Sequence, residues 1–256
     1  MRITIVDPAD PRIEAYRDIR ERDLRGRDGL AIAEGTVVLR SLVQSRDFTV
    51  TSVLVLRNRV DGIEGLLGLL PDAVPIYVAE RAVMDAVAGF PIHRGVLAVA
   101  RRTAHPDPLA SRPNRVVVGI GLANHDNVGG IIRCAAAFGA SVLLDDSCAD
   151  PLYRKAIRVS TGSAFTVPHR RGGTATALLD ALAAGGMATV ALSPRADADI
   201  RTVNRDRRVA LVVGAEGTGL PDAVLERCET ARIAMSPGPD SLNVTVATGI
   251  ALHALS

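Results

Sequence analysis

Five apolar, largely β-branched runs in the second half of the chain limit its fold more than any other feature: RVVVGIG (115–121), ASVLLDD (140–146), MATVAL (187–192), RVALVVG (208–214) and ARIAM (231–235). They alternate with alanine-rich helical stretches, among them GGIIRCAAAFGA (129–140) and ATALLDALAAG (175–185). Strands without a polar alternation are buried on both faces, so this half is expected to be a mainly parallel sheet covered by helices. In such sheets ligands bind beyond the carboxyl ends of the strands, and the loops after the apolar runs therefore carry the candidate chemistry.

The first half reads as a smaller α/β domain. Strand-like runs LAIAE (30–34), VTSVLVL (50–56), AVPIYVA (73–79) and RGVLAVAR (94–101) are separated by helix-compatible segments around 36–45, 61–70 and 80–88. A charged periodic stretch from Pro11 to about Asp23 predicts a helix; Arg17, Arg20, Arg22, Arg25 and Arg27 are interleaved with Asp18, Glu21, Asp23 and Asp28 and read as a self-paired solvated face. RRTAHPDPLASRPNR (101–115) has three prolines and no apolar period, as an exposed linker does. The expected organisation is a domain over 1–103, a linker over 104–114 and a second domain over 115–256.

Composition excludes more than it suggests. With 3% aromatic residues and no Trp the chain is poorly suited to stacking unpaired bases, while contacts to phosphate and ribose stay open. A net charge of +2 is too small to indicate a nucleic acid. Lys155 is the sole lysine, so the positive charge is almost all arginine. Cys134, Cys148 and Cys228 are odd in number and lack C-x-x-C spacing, which points to reduced thiols rather than a disulfide framework or a zinc site. Acidic residues and prolines interrupt the N-terminal stretch where a secretory signal needs an apolar core, and no long uncharged apolar run follows, so a cytoplasmic chain with no membrane span is expected.

Three loops combine glycine with polar side chains. LANHDNVGGIIRCAAAFGA (122–140) places Asn127 near a helix start, with Arg133 further along. Asn127 is a plausible helix cap and the glycines can simply pack; alternatively the helix N-terminus and Arg133 attract a phosphate. Gly214-Ala215-Glu216-Gly217-Thr218-Gly219-Leu220-Pro221 follows a buried strand, but its order and late position do not match a dinucleotide fingerprint. Ser241 and Asn243 precede a terminal apolar helix that either of them could cap.

Together N-V-G-G-I-I-R (127–133), G-A-E-G-T-G-L (214–220) and S-L-N-V-T (241–245) resemble the three ordered motifs of the SpoU/TrmH family of RNA ribose 2′-O-methyltransferases, in the SPOUT superfamily. P-L-Y-R-K-A-I-R-V-S-T-G-S (151–163) and the terminal T-G-I-A-L-H resemble the same family. A-E-G-T-V-V-L and F-P-I-H-R-G-V-L-A-V-A are similar, more distantly, to its substrate-binding domain with a ribosomal-protein-like α/β fold. The resemblance implies a C-terminal trefoil knot, a homodimer, S-adenosyl-L-methionine as cofactor and RNA as partner, with ribosomal RNA favoured over transfer RNA. It carries catalytic roles onto Asn127, Arg133, Glu216, Ser241 and Asn243, and cofactor binding onto Gly214, Ile233 and Leu242. Arg154, Arg158, His169 and Arg170 are candidates for guiding RNA phosphates, and no metal is required. Thr245 stands where many relatives have serine, and His125-Asp126 replaces the commoner acid-proline pair.

Methyl transfer to a ribose hydroxyl needs alignment and removal of one proton. Arg133 is expected either to act as an activated base or to clamp the substrate phosphate while phosphate or water takes the proton. Two rivals remain open on sequence alone: an RNA-binding module without catalysis, and a nicotinamide-dependent oxidoreductase, which the glycine order opposes.

Overall fold

The structure is a computed structural model and describes residues 2–17, 29–105, 107–236 and 240–256. Contacts divide the chain into two compact units, one built from Met1–His105 with Leu152–Thr166, the other from Pro106–Pro151 with Val167–Ser256.

In the first unit β1 (Arg2–Ile5), β2 (Leu30–Glu34), β3 (Phe48–Leu56), β4 (Ile76–Ala79) and β5 (Val96–Arg102) form one sheet in the order β1-β4-β3-β5-β2. β4 runs parallel to β1 and β3, whereas β5 is antiparallel to β3 and β2. Helices α1 (Thr36–Val43), α2 (Glu64–Leu67) and α3 (Arg81–Ala88) fall in the three segments expected to be helical. Ile13 and Tyr16, fully buried, join Leu54, Met84, Ile92 and Leu97 in its core. The helix expected from Pro11 is a 3-10 turn over Pro11–Tyr16, and the stretch from residue 18 onward, with Arg20, Arg22, Arg25 and Arg27, lies outside the described residues. β1 was not anticipated: R-I-T-I is a short alternating run at the sheet edge.

The second unit has six strands: β6 (Arg115–Gly119), β7 (Ser141–Leu144), β8 (His169–Arg171), β9 (Ala188–Leu192), β10 (Val209–Val213) and β11 (Glu229–Ala231), in the order β11-β9-β10-β6-β7-β8. Every pairing between them is parallel, as the unbroken apolar runs require. Helices α4 (His125–Ala137), α6 (Ala175–Ala184), α7 (Asp222–Leu225) and α8 (Val244–Leu255) cover it, while α5 (Arg154–Val159) packs on β2 of the first unit. A boundary at 104–114 therefore does not capture Leu152–Thr166, which groups with the first unit.

Two details position the site. β11 ends earlier than the run ARIAM suggests, because the Arg232 amide bonds Ala198 O at 2.8 Å and its carbonyl accepts from Ile200 N at 2.8 Å, steering the chain away from β9. At the far end of α8, the Arg115 guanidinium donates to Leu255 O at 2.9 Å and to Arg207 O at 3.0 Å, occupying a helix-terminal carbonyl that has no partner within the helix. Among the described residues no helix is long and apolar enough to cross a membrane.

Candidate active site

Because β6, β9 and β10 point the same way, the loops leaving their carboxyl ends gather at one edge of the sheet. The loop after β6 is clamped by the turn after β7. Asp145, a buried carboxylate, accepts from Gly121 N at 3.2 Å, Cys148 N at 3.1 Å and the Ser147 hydroxyl at 2.8 Å. Cys148 donates its thiol to Gly119 O at 3.3 Å and accepts from Leu122 N at 3.3 Å. Burial, with the Asp145 carboxylate beside it, pushes this thiol up to about 12, so it stays protonated as a donor.

α4 follows from this clamp. Its cap is Asn124, whose side chain accepts from Asp126 N at 2.8 Å, and not Asn127, which lies inside the first turn and is buried. That frees the Asn127 amide for another task. Gly130 lies where α8 crosses: a Cβ there would come within 2.5 Å of Thr245 Cγ2 and Oγ1, so this glycine serves close helix packing rather than a ligand. Thr245 also donates to Asn127 O at 3.4 Å.

The loop after β10 closes on itself. Gly219 N donates to Ala215 O at 3.0 Å, with Gly217 and Gly219 at positive φ. A Cβ on Gly214 would lie 2.5 Å from the Gly219 carbonyl carbon, so only glycine permits this turn. Pro221 is the N-cap of α7.

Asn243 joins the three motifs. Its Oδ1 accepts from Thr245 N at 2.9 Å and Val246 N at 3.4 Å, capping α8. Its Nδ2 donates to Asn127 Oδ1 at 3.1 Å and to Glu216 Oε1 at 2.6 Å. One amide thus caps a helix and ties two loops together, so the choice between capping and function was not exclusive.

Gly214, Glu216, Ile233, Ser241, Leu242 and Asn243 all line one crevice of about 760 Å³, within the roughly 300–1,000 Å³ usual for small-molecule sites. Its walls combine the backbone of the glycine loop with Leu192, Leu220, Leu225 and Met235. Exposed backbone amides and carbonyls among apolar side chains suit a flat heterocycle with a polar edge, and so fit an adenosine-bearing cofactor. Asn127 reaches this crevice through Asn243. Arg133 does not: it lies six residues beyond Asn127, about 9 Å along the helix and roughly 240° around it, and is exposed.

The four residues proposed to guide phosphate divide. Arg154 pairs with buried Glu34 at 2.7 Å and stacks over the Phe90 ring at 4.7 Å, and His169 is buried on β8 with Nδ1 2.9 Å from Val167 O. Burial takes His169 out of the set that can meet a phosphate at the surface, and Arg154, partly exposed, is already engaged by Glu34 and Phe90. Arg158 is exposed, as is Arg170, which stands 3.9 Å from Asp107. Sequence reasoning missed Glu34 as the partner of Arg154, Asp145 as the clamp, and Ser193 and Arg195 in the crevice; the last two follow directly after β9, where the strand-end rule pointed.

A parallel α/β unit with a backbone-lined crevice at its strand ends, rimmed by an amide–carboxylate cluster, defines a small-molecule-binding domain of the nucleotide-cofactor type. The model of the SpoU rRNA Methylase family matches residues 114–253. An uncharacterized tRNA/rRNA methyltransferase of Mycobacterium bovis is 38% identical over 263 residues, covering 97% of this chain and 90% of the relative. The crystal structure of an RNA 2′-O ribose methyltransferase is 28% identical with a TM-score of 0.80, covering 100% of this chain and 98% of that one. The SpoU methyltransferase AviRb from Streptomyces viridochromogenes, solved in complex with the cofactor AdoMet, shares the fold at 24% identity and a TM-score of 0.83, over 96% of this chain and 97% of that one. The chain belongs to the SpoU rRNA methylase family, as its three motifs imply. That membership removes the oxidoreductase rival.

Proposed function

We propose that the second unit transfers a methyl group from S-adenosyl-L-methionine to a ribose 2′-hydroxyl of RNA, ribosomal in preference to transfer RNA. The observation that carries this reading is the Asn127–Asn243–Glu216 cluster, which brings three distant motifs to the rim of one backbone-lined crevice. Bound S-adenosyl-L-methionine supplies a methyl group already activated on sulfur. Gly214, Ile233 and Leu242 hold its adenosine part; Asn243 and Glu216 fix the two loops that face the reacting hydroxyl, and Ser241, exposed at the rim, orients the ribose.

Arg133 contributes charge to the substrate phosphate. An arginine side chain holds its proton under ordinary conditions, so the clamp is preferred to the base, and phosphate or water takes the hydroxyl proton. Its position away from the crevice of its own chain favours a site completed by a second copy. Exposed Val246 and Ile250 on α8 supply an apolar face for such a homodimer. The C-terminal trefoil knot follows from the membership of the SpoU family as a further part of this reading. Residues 1–103 select the RNA, with Arg158 and Arg170 as phosphate contacts, and the enzyme works in the cytoplasm.

The test is to incubate the full chain with labelled S-adenosyl-L-methionine and total RNA from a strain lacking the gene, then map the modified nucleotide. A 2′-O-methyl group at one nucleotide is expected. Methylation of a base, or none with wild-type protein that binds the cofactor, overturns the reading. Arg133→Ala is expected to abolish turnover and leave cofactor affinity unchanged. Mixing Arg133→Ala chains with chains disabled at Gly214 should restore part of the activity if the site is shared between copies.

A further inference from the structure

We propose that Arg195 is the anion-binding group of the cofactor crevice and holds the carboxylate of the methionine part of S-adenosyl-L-methionine, a role that rests on the cofactor reading above. Three charged side chains line the crevice among the described residues: Arg195, Glu216 and Asp222. The two carboxylates can face only the cationic side of a zwitterionic amino acid. Its carboxylate is best matched by a positive partner, and Arg195 is the one cation lining the crevice among the described residues.

The local backbone holds Arg195 in place. Ser193 N donates to Ala231 O at 3.0 Å, tying the loop after β9 to β11. The Ser193 hydroxyl then accepts from Arg195 N at 3.3 Å, and Ala196 N bonds Ser193 O at 3.2 Å, making a closed turn with Ala196 buried beneath it. Arg195 stands exposed at the tip, and no described residue bonds its guanidinium, unlike Arg201, Arg207 and Arg227, which are all paired with carboxylates of the same unit. A fixed Cα with an unspent guanidinium fork suits bidentate contact with a carboxylate. The apolar side chains of Leu192, Ile233 and Leu242 also line the crevice and leave the adenosine end to packing and backbone contacts, so the two ends of the ligand are read by different groups.

Calorimetry on the full chain separates these ends. S-adenosylhomocysteine carries the carboxylate, and 5′-methylthioadenosine has the same nucleoside and thioether without it. Arg195→Gln is expected to weaken S-adenosylhomocysteine by roughly five- to twentyfold, as for a charge-assisted pair at a partly open site, and to leave 5′-methylthioadenosine unchanged. Arg195→Lys should recover part of the loss, and the gap between wild type and Arg195→Gln should narrow near 1 M salt, where screening acts within about 3 Å. Equal weakening of both ligands overturns the proposal in favour of a structural role. Unchanged S-adenosylhomocysteine affinity with weakened RNA binding overturns it in favour of a phosphate contact. If wild type binds neither ligand, the cofactor reading falls and this proposal with it; if wild type binds both and Arg195→Gln loses neither, only this proposal falls.

Discussion

The two sheets use similar apolar strands for different ends. In the first unit β5 runs against both of its neighbours, so the loops at any one edge come from strand starts and strand ends alike. In the second unit all six strands run the same way, and the loops after β6, β9 and β10 emerge together. A parallel sheet concentrates loop chemistry at one edge, whereas a mixed sheet disperses it. The polar clusters follow the same division. The first unit holds the largely covered Arg154–Glu34 ion pair, while the second holds the Asn127–Asn243–Glu216 cluster beside open space.

The largest expected effect is at a glycine of the second unit. Gly214→Val forces a side chain into the Gly219 backbone, and overpacking of about 1–3 kcal/mol should weaken S-adenosylhomocysteine roughly 10- to 100-fold by calorimetry. Unchanged affinity would mean that the loop conformation does not form the cofactor wall. The first unit supplies the next largest effect. Arg154→Ala strips buried Glu34 of its partner and should cost about 2–3 kcal/mol in chemical denaturation, less than for a fully enclosed pair because Arg154 keeps some solvent contact. Cofactor affinity should survive; if it fell as far as for Gly214→Val, the division of labour between the units would be wrong.

Asn243 distinguishes cap from cluster within the second unit. Asn243→Ala should lower stability by about 1 kcal/mol, the usual cost of a lost cap, and reduce methyl transfer as well. Asn243→Asp keeps the acceptor for Thr245 and Val246 but sets a carboxylate against Glu216, so thermal stability should fall less than activity does. Full activity in Asn243→Asp beside the loss in Asn243→Ala would leave capping as the residue's whole role. The smallest effect is expected at Gly62, where a Cβ meets nothing within 4 Å: Gly62→Ala should shift stability by no more than about 1 kcal/mol, in the stabilising direction, and leave cofactor affinity unaltered.

Much of this was legible in the chain itself, for identifiable reasons. Continuous β-branched apolar runs such as VALVV read as strands buried on both faces, and the glycines of 214–219 report a turn that favours glycine. The motifs also contain Asn127, Glu216 and Asn243, whose side chains the structure brings into contact. Of the two readings open for Asn127, the cap fails because Asn124, a suitable type three residues earlier, takes that place, and only the observed helix start separates them. Arg154 and His169 were taken for surface groups since exposure is not written in residue type; an arginine is as much at home over Phe90 and against Glu34 as on a phosphate.

By itself, then, the sequence determined the family, the parallel sheet and the identities of the motif residues, because these depend on local pattern: apolar period, glycine placement and the order of short motifs. Tertiary structure alone decided which of those residues meet. Asn243 lies 116 residues from Asn127 and 27 from Glu216, and their contact exists only because α4 and α8 cross at Gly130 and the 214–221 loop folds back on itself. It likewise decided that Arg133 stands apart from the crevice of its own chain and that Arg195 stands in it, since helix phase and strand direction in space are properties of the packed molecule and not of any short segment.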